Sequence, residues 1–256
     1  MGEGARKIPW GRILAEGILI VVSILLAFGI EAWWADRDER RDEVDALRNL
    51  REDFVETAQR LTSASEGHAR IRESSVRLLE MTGPTARLQI SELTVDSLLM
   101  ELIGGPTVFP VTATLDALMG SGRLDIISSS ELRRELAAWS AARAALQEIE
   151  REARAQMDQR FLPFIWDYVP VVTLDLTAFS EEYGDAGLTP SRFSRRYDAL
   201  FAERRFENAV EERMNSSRIA LERLSVAQEI VAKILSLVER ELAGSALQQA
   251  VAADTK

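Results

Sequence analysis

The sequence contains no cysteine and only one histidine, His68. Without cysteine the chain cannot form a disulfide, an iron–sulfur cluster, an attached c-type haem or a thiol nucleophile. One histidine cannot build a multi-histidine metal site. The phosphate-binding G-x-x-x-x-G-K motif and the nucleophile motif G-x-S-x-G are also missing. We therefore predict no catalytic residue, no metal site, no cofactor and no enzymatic activity.

Positive charge is scarce as well. The chain has 31 lysines and arginines against 41 aspartates and glutamates, which gives a net charge of −10. Because binding to nucleic acid requires a basic surface, we expect no nucleic-acid partner. Acidic pairs such as Glu52-Asp53 are numerous, but neighbouring residues on a helix do not face each other. We interpret these pairs as solvated helix surface.

One long hydrophobic run extends over residues 13–35, and residues 17–30 carry no charge. Trp10 precedes the run, and Trp33 and Trp34 close it. A helix from Trp10 to Trp33 is roughly 35 Å long, which suits the hydrocarbon core of a bilayer with its interfaces. Tryptophan at both ends is typical of a membrane–water interface. We predict a transmembrane helix at 13–35, after a short tail at 1–12.

Charges around the run indicate its orientation. Arg6, Lys7 and Arg12 favour a cytoplasmic N-terminus, because cytoplasmic flanks are enriched in basic residues. The bulk of the chain, 36–245, is then expected in the periplasm, anchored in a bacterial inner membrane. A signal peptide cleaved after residue 29 is the less favoured alternative, because the run is long and Trp33-Trp34 would stand near the start of the mature chain.

One face of the predicted span carries small and polar residues. At about 100° per residue, six positions fall within a narrow wedge. Such faces allow membrane helices to approach one another. We therefore predict contact with other membrane subunits, or with a second copy of the chain; alternatively, the two carboxylates only lie at headgroup depth. The six residues are Glu16, Ile20, Ser23, Ala27, Glu31 and Trp34.

Apolar residues recur at spacings of three and four along three long stretches after the run. The first continues the span to about residue 81, the second runs from a Ser128–Glu131 capping box to Pro163, and the third runs from about 203 to a cap at Gly244, with a loose tail at 246–256. Shorter helices are predicted at 91–103 and 114–119, and a short strand is possible at 171–176.

The predicted fold class is therefore all-α. One N-terminal transmembrane helix continues into an antiparallel bundle of three long helices and several short ones. His68 lies on the apolar stripe of the first helix. We predict a buried, hydrogen-bonded histidine there rather than a pH switch.

An aromatic segment ends the second long stretch. If the first helix leads away from the membrane, we expect this segment to return toward it, so that it could contact the interface or a partner. Packing inside the bundle is the favoured alternative. The residues concerned are Phe161, Phe164, Trp166 and Tyr168.

Several short motifs occur in order along the chain. They are Glu16-Gly17, an Ala27-x-x-Ile30-x-x-Trp33 exit, a Leu-x-Asn-Leu-x-Glu-Asp helix at 47–53, a Thr-Leu-x-x-Leu-x-x-Ser-Gly block at 114–122 and a Val-Glu-Arg-Glu-Leu ending at 238–242. In this order the chain resembles a family of bacterial single-span membrane proteins of unknown function. The resemblance implies the anchor and the helical domain, and it supplies no activity.

The sequence thus predicts a non-catalytic scaffold or accessory subunit. Its host would be a larger membrane complex, with respiratory or photosynthetic assemblies as the class to consider first. Its expected partners are membrane lipid and other membrane subunits, and a homo-oligomer is an open alternative. A different possibility is a periplasmic ligand-sensing bundle that signals sideways to a membrane partner, with 164–190 as a lid.

Overall fold

The chain is almost entirely helical. A computed structural model describes residues 10–179 and 187–254, and the side chains of residues 10–18, 20, 36 and 248–254 lie outside its description. In these ranges every regular element is a helix or a helical turn, so the predicted all-α class with long packed helices is confirmed. The elements are α1 (Trp10–Leu79), α2 (Glu92–Ile103), α3 (Ala113–Gly120), a 3-10 turn (Leu124–Ile126), α4 (Ser130–Gln156), a π turn (Met157–Phe161), α5 (Leu162–Ile165), α6 (Val171–Ala178), α7 (Tyr197–Phe201) and α8 (Arg204–Asp254).

Helix α1 is one continuous rod of 70 residues, as the sequence predicts. Between Gly29 and Gly67 the chain contains neither glycine nor proline, so nothing interrupts the helical hydrogen bonds there. The helix ends at Leu79, shortly before Pro84, which could not donate to a continuing ladder. At about 1.5 Å per residue the rod is roughly 105 Å long.

The two longest helices, α1 and α8, run antiparallel. The guanidinium of Arg51 lies 3.5 Å from a carboxylate oxygen of Glu239. Farther up α1, Ser65 accepts a hydrogen bond of 3.3 Å from Gln228, which comes earlier in α8. Rising numbers on α1 therefore meet falling numbers on α8, which is the predicted antiparallel arrangement for this pair.

Helix α4, in contrast, runs parallel to α1. Just before it begins, the Ser128 N–H donates to the Glu43 carboxylate at 2.6 Å. Eleven residues further along each of the two helices, the rings of Phe54 and Trp139 pack edge to face with centroids 5.8 Å apart. The predicted antiparallel bundle is thus correct for α8 against its two partners but wrong for α1 and α4. The chain returns through α2 and α3, so that α4 begins beside Glu43 of α1.

Two apolar cores lie along the bundle. The first fills the space between α1, α4 and α8 and contains Phe54 and Trp139. The second lies at the opposite end from the N-terminus, where α2, α5, α6, α7 and the start of α8 pack around Leu78. We call this second unit the distal lobe. Between the two cores α1 and α8 meet through polar residues, including His68 and Ser217.

The prediction of a possible short strand at 171–176 is wrong, because these residues form helix α6. Their β-branched side chains favour a strand, but Thr173 and Leu174 are buried and α6 packs against α2. Burial of one helical face therefore overrides the local preference.

Three predicted helix boundaries also differ from those in the structure. The cap of α4 is Ser129 rather than Ser128, since its hydroxyl accepts from the Leu132 N–H at 3.4 Å. Pro163 does not end a helix; a π turn precedes it, and α5 contains it. Such a turn changes the hydrogen-bond spacing where proline lacks an N–H. Gly244 does not end α8, which runs on to Asp254.

Candidate functional site

The apolar end of α1 is the most unusual surface of the described chain. Its large apolar side chains are between 49% and 66% exposed, and none belongs to either core. Even at Gly29 an added Cβ would meet no atom within 4 Å. The exposed residues are Leu19, Val21, Val22, Ile24, Leu25, Leu26, Phe28, Ile30, Trp33 and Trp34.

The predicted partner face can be followed only in part. Ser23, Ala27, Glu31 and Trp34 are all exposed, whereas the side chains of Glu16 and Ile20 lie outside the described residues. The hydroxyl of Ser23 donates to the Leu19 carbonyl at 2.8 Å, so it satisfies its own helix. Among the described residues, no helix combines the length and the apolar character that crossing a membrane requires.

The predicted interface tryptophans form a small cluster at the end of the apolar run. The rings of Trp33 and Trp34 meet edge to face with centroids 5.5 Å apart. The guanidinium of Arg37 lies over the Trp33 ring at 5.7 Å, which is a cation–π contact. The side chain of Trp10, predicted for the opposite interface, lies outside the described residues.

The aromatic segment after α4 lies in the distal lobe, at the far end of α1. Because α4 runs parallel to α1, the segment moves away from the apolar run instead of returning to it. Phe161 and Phe164 are buried in the second core, Tyr168 is partly buried, and Trp166 is 56% exposed. The predicted packing inside the bundle is therefore confirmed for Phe161 and Phe164, whereas the ring of Trp166 is exposed.

A buried polar layer separates the two cores. His68 is 7% exposed, and its Nδ1 lies 3.3 Å from the hydroxyl of Ser217, as predicted for a hydrogen-bonded histidine. Burial, aided by the positive charge of Arg213, lowers the pKa of His68 to about 4. Arg213 is buried too, and burial lowers its pKa to about 10. Its Nε–H donates to the Leu102 carbonyl at 2.9 Å.

The sequence analysis missed a buried carboxylate, Asp96 on α2. Arg195 donates to both of its oxygens, at 3.2 and 2.8 Å, and the hydroxyls of Tyr197 and Thr177 also donate to it. Burial raises the pKa of Tyr197, and its bond to Asp96 raises it further. These contacts tie α2, α6 and the segment before α7 together. A charged residue inside the apolar run of α2 was the available signal.

An open groove of about 510 Å³ lies beside α1, between Arg60 and the extended segment that carries Pro106 and Phe109. Arg60 crosses it, donates to the Phe109 carbonyl and pairs with Glu56. In the described ranges, no three histidine or carboxylate side chains converge closely enough to hold a metal ion. The groove therefore offers a cavity that is lined by hydrogen-bonding side chains.

Comparison with protein-family models, curated proteins and solved structures finds no match to this chain. The resemblance to the single-span family therefore stays a prediction based on its motifs. Function has to be inferred from the geometry of the chain itself.

Proposed function

We propose that the chain is a non-catalytic, single-span membrane protein whose bundle serves as a scaffold or accessory subunit of a larger membrane complex. The observation that supports this proposal is the exposed apolar end of α1, from Leu19 to Trp34. Ten large apolar side chains there remain exposed. Full burial of an exposed large apolar side chain contributes about 1.5–3 kcal/mol, and these side chains, half to two-thirds exposed, retain a large share of that gain, so the surface favours an apolar environment.

The exposed apolar residues cover every side of the helix. Val21 and Val22 lie about 100° apart, and Ile24, Leu25 and Leu26 extend the cover around the circumference. A helix that is apolar all round is typical of a membrane span or a large core, whereas a single partner helix needs only one stripe. Lipid around most of the helix, with a partner on the Ser23 side, fits this distribution best.

The folded bundle leaves this segment uncovered. From the Arg51–Glu239 pair, fifteen residues lead down α1 to position 36 and fifteen lead along α8 to Asp254. At an equal rise per residue, Asp254 lies about level with position 36. The sequence extends the apolar run from there down to Ile13. An inner-membrane anchor at 13–35, with the N-terminus in the cytoplasm and the bundle in the periplasm, would account for both features.

Alkaline carbonate extraction of membranes from cells that express the full chain tests the anchor. We expect the wild-type chain to stay with the membrane and the Val22→Arg/Leu25→Arg variant to be extracted, since a central arginine costs about 2.5–3.5 kcal/mol in a span. The matched control is Val76→Arg/Val226→Arg, which changes two exposed valines of the bundle. Extraction of the wild type, or retention of the first variant, would refute the anchor.

The groove beside Arg60 favours a second candidate, a ligand-sensing bundle. Its volume of about 510 Å³ would accept a small molecule, and Arg60 could bind a polar group. Mass spectrometry of the intact protein from mild detergent separates the two. Stoichiometric protein partners support the scaffold, and a retained small molecule that is lost in Arg60→Ala supports the sensor.

A further inference from the structure

The groove beside Arg60 is formed by one face of α1 and by the segment at 104–112 that links α2 to α3. Its lining consists of Glu56, Gln59, Arg60, Ser63 and Ala64 from α1 and Pro106, Thr107 and Phe109 from the segment. Residues three, four and seven apart lie on one side of a helix, so the α1 side chains form a single row. At about 1.5 Å per residue, the row from Glu56 to Ser63 is roughly 10 Å long.

The ring of Phe109 stands on a fixed support at the edge of this groove. The Val108 N–H donates to the Glu150 carboxylate at 2.8 Å. The Val111 N–H donates to the Thr57 hydroxyl at 3.0 Å. These bonds hold the backbone on both sides of Phe109, whose ring is 70% exposed. The groove therefore has an exposed aromatic surface that is held by the long helices.

The charged groups of the groove pair with each other. Glu56 accepts a hydrogen bond from Arg60, and a second nitrogen of Arg60 donates to the Phe109 carbonyl. Of the described residues that line the groove, no other is charged. The lining therefore has no net charge, and it favours neither an anion nor a cation.

Two polar side chains of the row are available to a ligand. Gln59 and Ser63 lie one helical turn apart and are exposed. Among the described residues, neither the Gln59 amide nor the Ser63 hydroxyl has a hydrogen-bond partner. Both groups donate and accept hydrogen bonds. A purely apolar ligand would leave them buried and unpaired, which is unfavourable.

We propose that this groove binds a neutral saccharide. A sugar ring has an apolar C–H face, which stacks on an aromatic ring, and a rim of hydroxyls, which donate and accept hydrogen bonds. Phe109 would support the face, and Gln59 and Ser63 would bind the hydroxyls. The paired Glu56 and Arg60 would add charge-assisted bonds. The proposal rests on the groove as a ligand site, the second candidate function, and does not depend on the membrane anchor.

Saturation-transfer NMR tests the proposal with the full chain in a detergent that has no sugar headgroup. The probes are maltotriose, cellotriose and tri-N-acetylchitotriose. We expect at least one of them to bind with a dissociation constant on the order of 1 mM, and its ring C–H protons to receive the strongest saturation. Phe109→Ala should weaken binding at least about tenfold, whereas Phe109→Trp should retain it.

The matched control is Phe193→Ala, which removes an exposed phenylalanine from the segment before α7 and should leave binding unchanged. Circular dichroism verifies that each variant is folded. Absence of binding by all three probes would overturn the proposal, as would equal binding by the two alanine variants. Tighter binding of trialanine, with the same loss in Phe109→Ala, would assign the groove to peptides instead.

This proposal and the proposed functions can fail separately. Protein partners found by mass spectrometry do not depend on the groove. A retained molecule that is not a saccharide, and that is lost in Arg60→Ala, would keep the ligand site and overturn the saccharide. Carbonate extraction tests only the apolar run, which lies outside the groove.

Discussion

Arg213 of α8 donates its Nε–H to the carbonyl oxygen of Leu102, 2.9 Å away, from inside the contact between α1 and α8. Leu102 lies in the last turn of α2, where backbone carbonyls lack partners within their helix. Among the described residues no carboxylate pairs with Arg213, so carbonyl oxygens stabilise its charge. One buried cation thus joins the distal lobe to the long helices.

The first prediction concerns this cation. We expect Arg213→Ala to lower the free energy of unfolding by about 2–4 kcal/mol, because the carbonyls of Leu102 and Gly104 lose their donor. Arg213→Lys should restore only part of this loss, since lysine lacks the forked geometry. Urea denaturation measures both variants. Arg72→Ala, at an exposed position, is the control, and equal stability of the two alanine variants would contradict the prediction.

The second prediction is a pH dependence due to His68, the only histidine in the chain. Its folded-state pKa of about 4 lies below the ordinary 6.5, so the unfolded chain takes up the proton first. The stability that depends on neutral His68 is therefore complete above pH 6.5 and falls as the pH drops toward 4, by at most about 3 kcal/mol. Urea denaturation over this range should give a steeper decline for the wild type than for His68→Gln; parallel declines would exclude this role.

The third prediction compares two helical glycines. A Cβ at Gly67 would lie 3.0 Å from the Cβ of Pro106, so Gly67→Ala must displace the extended segment that follows α2. At Gly244 a Cβ meets nothing within 4 Å. We expect Gly67→Ala to lower the melting temperature and Gly244→Ala to stabilise its helix by about 0.5–1 kcal/mol. Thermal melting and amide hydrogen exchange measure these effects, and a stabilising Gly67→Ala would show that the loop yields freely.

The fourth prediction concerns Asp96. Asp96→Asn should lower the free energy of unfolding by about 2–3 kcal/mol, because it leaves Arg195 without its buried counterion. Tyr197→Phe should cost about 1 kcal/mol. The double variant should lose less than both losses added, since the residues share one network. Glu131→Gln, at an exposed ion pair, is the control and should leave the melting temperature unchanged; additive losses would mean that Asp96 and Tyr197 act independently.

The long helices and some of the helix ends follow from local patterns in the sequence. The continuity of α1 follows from the lack of helix breakers, and the start of α2 follows from Ser91, whose hydroxyl accepts from the Thr94 N–H. The direction of α4 does not follow, because an apolar stripe defines which face packs but not which way the helix runs. The Asp96–Arg195 pair joins positions 99 apart, and no local pattern encodes such a contact.

The pairing of α1 with α8 also has a consequence for biosynthesis. Its contact between His68 and Ser217 spans 149 positions. At about 5–20 residues per second, the ribosome needs roughly 7–30 s to make the second partner after the first. For that time α1 lacks α8, the helix with which it makes its most extensive contact, and only α2, α3 and α4 can pack against it. The bundle therefore closes with its final helix, and a nascent chain halted before α8 would expose the interior faces of both cores.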